Sequence, residues 1–155
     1  MRRKDREITE YSKMLDILSE CDCCRLGLID ENGAYIVPLN FGFEMVGDKL
    51  YLYFHGASVG KKIDLIKKQK KASFEMDRKY QLYEGETPCT YSFFYQSVMG
   101  NGTIQLLDDY DEKVSALSIL MSHYSDKGQL QFQKEYVEMV SVIKLEVINW
   151  SCKEH

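Results

Sequence analysis

The sequence predicts a mainly β protein, an antiparallel barrel with peripheral helices, built as a single domain over residues 1–155. Three observations predict it. Strand-like runs follow one another through tight turns, which makes antiparallel neighbours. Helical segments fall between strands as insertions rather than in strict alternation with them. No G-x-G-x-x-G follows a strand, which argues against a doubly wound dinucleotide fold. At 155 residues the chain is long enough to bury a core, and its 45% hydrophobic and 28% charged content is that of a soluble globular protein.

The elements follow in order. Thr9 is the expected N-cap of a helix from about Thr9 to Glu20, since Tyr11, Met14, Leu15 and Leu18 recur at helical spacing. In "CCRLGLID", Cys24, Leu26 and Leu28 alternate with Arg25, Gly27 and Ile29, the pattern of a half-buried strand. "ENGA" puts Asn-Gly at the centre of a hairpin turn. "AYIVPLNFGFEMV" reads as one second strand with Tyr35, Val37, Leu39, Phe41 and Phe43 on a common face. Gly47-Asp48 turns the chain into "KLYLYFH".

A helix after Ser58 is expected to turn Val59, Ile63 and Ile66 inward. "KASFEMD" is a fourth strand, and a polar loop containing Pro88 leads to "YSFFYQSVMGNGTIQLL", where Gly100 and Gly102 mark a bulge. Asp109 and Glu112 form a capping pair for a helix running to about Tyr124. A short helix near Phe132 to Glu138 precedes the last strand, which carries Ile143, Leu145 and Val147.

Composition limits the function. A net charge of −4 gives no general attraction to nucleic acid or to anionic membranes, and the aromatic strands carry few basic residues. No apolar run approaches the ~20 residues of a membrane span, and the charged N-terminus does not read as a secretory signal. Five cysteines without a small-scaffold spacing suit the reducing cytoplasm. "CDCC", Cys21 to Cys24, lacks a second ligand pair at defined spacing, so buried or edge thiols are expected there and no metal.

"LYFHGASVGKKIDLIKK" carries the site signal. Ser58 is the expected N-cap, which puts Gly60 at the second helical position, where it costs up to ~1 kcal/mol relative to alanine. Lys61 and Lys62 add cations where the helix dipole already places positive charge. A phosphate anchored by Ser58, the free N–H groups and the two ammonium groups accounts for both features. A solvated basic helix face, continued by Lys67, Lys68, Lys70 and Lys71, is the alternative. His55, at the end of the strand, reads either as a hydrogen-bonded structural residue or as a donor to a ligand held at the anchor.

These pieces resemble the flavin-binding split barrels of the pyridoxamine 5′-phosphate oxidase-like superfamily, and most of all its nitroimidazole-resistance (Nim-type) branch. "MRRKDREIT", "CRLGLIDENGAYIVPLNFGFE", "LYLYFHGASVGKKIDLIKK", "ASFEMD" and "YQSVMGNGTI" carry the resemblance, in the right order, over most of Met1 to Leu107. It implies a six-stranded antiparallel split barrel that forms a homodimer with FMN, or FAD, in clefts between the subunits. By the same resemblance Val37, Pro38, Leu39 and Asn40 run along the flavin, and Tyr53 and His55 lie near its ribityl chain and ring. Ser58, Gly60, Lys61 and Lys62 hold its phosphate, and Gln96 and Ser97 contribute from across the dimer interface. The oxidase itself holds its substrate with an arginine and a histidine near the C-terminus. Here the chain closes "INWSCKEH" without a recognisable pair, so that activity is not expected.

Two functions follow. One is an FMN-dependent oxidoreductase, nitroreductase-like, that reduces a small flat electron-poor substrate such as a 5-nitroimidazole with His55 as proton or hydrogen-bond donor. The other is a flavin or haem binding protein without turnover.

Overall fold

The computed structural model describes residues 3–128 and 131–155. Met1 and Arg2 of the basic opening run lie outside them.

A 3-10 turn (Lys4–Arg6) leads into β1 (Glu7–Ile8), a two-residue strand paired with the far end of the last strand, Ile8 against Cys152. That pairing keeps Thr9 and Glu10 out of the helix. α1 spans Tyr11–Ser19, with extended Glu10 at its N-cap and no side-chain cap, so the expected Thr9 cap is not formed. Ile17 and Leu18 are its buried residues, and Met14 packs beside them.

β2 (Cys24–Asp30) and β3 (Gly33–Leu39) form the expected hairpin. Asp30 pairs with Gly33, so Glu31-Asn32 is the loop and Gly33 closes it at φ +122°. The single strand expected from Ala34 to Val46 is two. Asn40 and Phe41 break it, and β4 (Gly42–Val46) pairs not with β2 but with β5 (Lys49–Ala57). The cause is packing. Phe41 is fully buried and its N–H donates to the Tyr124 hydroxyl at 3.0 Å. At Gly42 a Cβ would meet the backbone of Leu120, so only glycine lets the third helix lie this close.

α2 spans Lys61–Lys68 and buries Ile63, Leu65 and Ile66, whereas Val59, expected on the inner side, is 77% exposed. β6 runs Lys71–Tyr83, six residues beyond the expected "KASFEMD", because it keeps pairing with β7 (Ser92–Leu107) after a register break between Arg78 and Gln81. The expected loop shrinks to a tip with a 3-10 turn at Pro88–Thr90. β7 has its irregularity at Asn101/Gly102, as the glycines predict. Asp109 caps α3 (Tyr110–Tyr124) by accepting from the N–H groups of Asp111 and Glu112, at 3.0 Å each. α4 (Lys134–Met139) and β8 (Val140–Glu154) complete the chain.

All pairings are antiparallel, in the order β3-β2-β6-β7-β8-β5-β4, with β1 also on β8. The sheet has eight strands where six were expected, the additions being β1 and the separate β4. β3 and β4 are its two edges, yet only Asn40 and Phe41 separate them in sequence. The sheet must therefore curl until its edges meet at that corner, and it stays split beyond it. Leu26, Leu28, Leu52, Phe54, Phe74, Met76, Val98, Ile104 and Leu145 fill the interior. A smaller apolar cluster lies under α3 and α4, around Tyr53, Leu107, Leu117 and Val142.

Cys21, Cys24 and Cys152 are buried, and burial pushes the thiols of Cys21 and Cys152 up to about 12. They act as small apolar core residues. Among the described residues no helix is long and apolar enough to cross a membrane.

Candidate functional site

The predicted site residues fall into two groups. β4 covers β5 only as far as the Gly42–Tyr53 pair. Beyond it, His55, Gly56 and Ala57 pair with β8 on one side and are open on the other. The β4–β5 register, continued past Gly42, brings Asn40 level with His55. At the other end of β3, Lys61 Nζ lies 2.6 Å from the Asp30 carboxylate and 5.1 Å from the centroid of the Tyr35 ring. The free edge of β3, with Val37, Pro38, Leu39 and Asn40, therefore faces the segment from His55 to Lys62 across one slit. Pro38 has no N–H to offer there, which suits an unpaired edge.

Tyr53 is apart from the slit. It is 5% exposed, packs beneath α3 and donates its hydroxyl to Glu44 at 2.6 Å. Burial and the adjacent Glu44 raise its phenol above the ordinary range. His55, two residues on, is exposed.

The turn at the end of β5 corrects the expected cap. Gly60, not Ser58, is the N-cap of α2, and Gly60 precedes the helix rather than lying in it. Its φ of +128° and ψ of 167° belong to glycine, so conformation rather than close approach is enough to require it. The Gly60 carbonyl accepts from the N–H groups of Ile63 and Asp64, at 2.9 and 3.1 Å. The N–H groups of Lys61 and Lys62 come before these and, like those of any first turn, have no intrahelical acceptor. Ser58 is exposed beside them.

The two lysines differ. Lys61 is held by Asp30, whose carboxylate raises the Lys61 pKa and whose own pKa is lowered in return. Lys62 is half-buried and folds back over Gly56, where a Cβ would stand 2.8 Å from its Nζ. Among the described residues Lys62 makes no ion pair.

Gln96 and Ser97 are elsewhere. Gln96 pairs with Glu154, at one end of β8, while Ala57 pairs with Val140 at the other. At ~3.3 Å per residue the two positions are roughly 45 Å apart along the strand. One chain does not bring Gln96 and Ser97 to the slit.

The sequence did not single out the groups around Gln96. Its Nε2 donates to Glu154 at 2.7 Å. Beside it the His155 ring is held by Arg6 at 2.9 Å and by the Ser92 hydroxyl at 2.6 Å. Arg6 and His155 are 149 positions apart, and only the β1–β8 pairing brings them together, so no local spacing could have shown it.

The outer face of the β3-β2-β6-β7 half is uncovered by helices and apolar. Ile29 is 71%, Ile36 62% and Met99 52% exposed, around a shallow hollow of about 430 Å³ flanked by Arg25 and Glu75.

The family described as pyridoxamine 5′-phosphate oxidase matches residues 10–151. None of the curated proteins compared matches the chain. Among solved structures, the chain is similar to a protein from Bacteroides thetaiotaomicron provisionally assigned to 5-nitroimidazole antibiotic resistance. The identity is 30% and the TM-score 0.82, with 96% of this chain and 86% of that one covered. The fold is shared with a flavocytochrome from Azotobacter vinelandii (18% identity, TM-score 0.83, covering 100% of this chain and 72% of that one). It is also shared with an FAD and heme binding protein from Mycobacterium smegmatis (19% identity, TM-score 0.82, covering 96% and 73%).

The Lys61–Asp30 contact predicts a titration. A carboxyl pKa lowered in the folded state contributes stability at pH values above its unfolded value of ~3.9, and that contribution is lost as pH falls through the folded value. Carboxyl-carbon NMR should place Asp30 below ~3.9, and Lys61→Ala should return it upward. An Asp30 midpoint indifferent to Lys61→Ala would show that the ion pair does not form in solution.

Proposed function

The chain belongs to the pyridoxamine 5′-phosphate oxidase family, and from that premise we propose that it binds a flavin, FMN or else FAD, and reduces a small flat electron-poor substrate such as a 5-nitroimidazole. The observation that carries this reading is the slit. On this reading a flat cofactor lies between the β3 edge and the segment from His55 to Lys62, with its phosphate at the start of α2. The residues present fit such a group. The first-turn N–H groups, the exposed Ser58 and the Lys62 ammonium folded over Gly56 all belong to the start of α2, and the space beside Gly60 is open. Lys61 shares its charge with Asp30, so it positions the turn as well as attracting the anion.

A bound flavin supplies the two-electron chemistry, and the protein supplies position and hydrogen bonds. His55, exposed at the slit, donates a proton or a hydrogen bond to the substrate. Gln96 and Ser97 reach the slit only from a second copy, which makes the site one shared by two subunits. The uncovered apolar face around Ile36 and Met99 supports a homodimer. Five free thiols fit a cytoplasmic setting. The likeness to a nitroimidazole-resistance protein favours turnover. The flavocytochrome and the FAD and heme binding protein favour the second reading, a flavin or haem binder without turnover.

Three measurements test the proposal. Purified protein should show an oxidised-flavin spectrum, and Lys61→Ala with Lys62→Ala should weaken flavin binding by roughly two to four orders of magnitude, at ~1.5–3 kcal/mol per charge-assisted contact. Full flavin retention in that variant would remove the anchor.

Light scattering should give about twice the 18.1 kDa chain mass. A monomer that holds flavin tightly would count against the shared site.

The third measurement concerns turnover. His55→Ala should keep flavin and melting temperature while anaerobic reoxidation of the reduced protein by a 5-nitroimidazole slows ~10²-fold or more. Reoxidation at the wild-type rate would leave His55 without a catalytic role. A reduced wild type inert to every nitroaromatic would favour the carrier.

A further inference from the structure

Toward the tip of the β6–β7 hairpin the sheet narrows to a two-stranded arm. β2 stops pairing with β6 at Glu75, and β8 stops pairing with β7 at Gln96. Residues 81–83 and 92–94 therefore pair only with each other. A two-stranded ribbon is marginal in water by itself. This one also carries apolar side chains on its outside. Leu82 stands opposite Phe93, and the Tyr80 ring lies 5.7 Å from the Phe93 ring. Tyr80 is 54%, Leu82 52% and Phe93 47% exposed.

Alternation carries that face down onto the barrel. Val98 is fully buried in the interior, so Phe93, Tyr95, Ser97 and Met99 share the outer side of β7. There they join Ile29 and Ile36 on the uncovered face described above. The two ends of this patch differ. Ile36 pairs with Gly27, Gly27 with Ser73, and Ser73 with Asn101. Ile36 is thus level with a point on β7 roughly 25 Å from Phe93. One end is a projecting aromatic arm. The other holds the shallow hollow of about 430 Å³ lined by Ile29, Ile36 and Met99. Arm and hollow share one sheet face, so an arm cannot fold onto its own hollow.

Area separates a stray patch from an interface. At ~200 Å² per large side chain, the exposed parts of Tyr80, Leu82, Phe93, Met99, Ile36 and Ile29 leave roughly 650 Å² open. A monomer rarely leaves a contiguous apolar patch above a few hundred Å². With the polar centre at Arg25, Glu75 and Asp77, the face reaches the ~800 Å² that each partner of a stable complex buries.

We infer that a second copy of this chain covers the face end for end, so that the arm of each subunit lies in the hollow of the other. A twofold axis across the strands near Met99 makes this contact isologous and closed, with neither arm left uncovered. The inference gives the homodimer proposed above its contact surface and orientation, and it rests on that reading.

The test is dimer affinity by sedimentation, on wild type, Leu82→Glu, Ile36→Lys and an equal mixture of the two variants, with the melting temperature of each recorded. Both side chains are exposed, so each variant should fold; Tyr80→Ser replaces Leu82→Glu if that chain does not. Wild type should be a dimer. Each variant alone should dimerise about a hundredfold or more weakly, because a charge is then buried against an apolar partner. The mixture should recover to within about tenfold of wild type, since end-for-end packing sets the introduced glutamate against the introduced lysine. A Leu82→Glu or Tyr80→Ser chain that dimerises like wild type overturns the role of the arm and leaves the homodimer standing. Two weakened variants whose mixture stays weak overturn the end-for-end orientation, as an arm-on-arm contact requires. A monomeric wild type overturns both the inference and the homodimer beneath it, and needs no variant to fold.

Discussion

The structure depends on a two-residue link. β3 and β4 are the opposite edges of one sheet, and Asn40 and Phe41 are all that joins them. A flat or gently twisted sheet cannot meet that constraint, so the sheet rolls. Phe41 is held at the corner by burial and by Tyr124, whose hydroxyl accepts from Phe41 N–H and donates to the Asp22 carbonyl. The His123 ring lies 4.4 Å from that of Phe41, and its Nε2 meets the Cys21 carbonyl at 2.8 Å. α3 is thus the clamp that holds the barrel's corner, and Gly42 lets it seat. Past the corner, β3 and the end of β5 diverge with their inner edges unpaired. The slit that the proposed cofactor uses is a direct result of that divergence.

Charge is arranged to match. The end of β5 delivers a helix start with two lysines, and the β2–β3 hairpin delivers Asp30 to one of them. Lys61 is thereby balanced while Lys62 makes no ion pair among the described residues, which suits the proposed phosphate anchor. At the far end of β8 the polar groups answer one another differently. Glu154 serves Gln96 and Lys13, and Arg6 and Ser92 serve His155.

Much of this was legible in the sequence, for local reasons. The β2–β3 hairpin, whose loop is Glu31-Asn32 rather than the expected Asn32-Gly33, the Gly47-Asp48 turn, the Asp109 cap and the Gly100/Gly102 irregularity each follow from residues a few positions apart. The lysine anomaly at α2 was equally visible. What could not be read depends on distant partners. Alternation runs unbroken from Tyr35 to Phe43, so the break at Asn40 was hidden until α3 supplied its reason. Tyr53 carries the same pattern as His55 but ends under a helix. Lys61 is balanced by Asp30 from another hairpin, and Arg6 with His155 closes across most of the chain. The role of Gly60 was misplaced by two residues because its positive φ has no signature beyond glycine itself.

β8 has a bearing on how the molecule assembles. It pairs with β7, β5 and β1, and it is the last strand in sequence. Until it docks, the β3-β2-β6-β7 half and the β5-β4 half have no hydrogen bonds to each other. Both then present open strand edges, tethered only by the chain itself, through Asn40–Phe41 and through α2. Closing many long-range pairs at once slows folding and leaves those edges free to pair with other chains in the meantime. The same strand that separates the two clusters in space therefore also sets the order in which they come into being. The Gln96–Glu154 contact does not exist before β8 is in place.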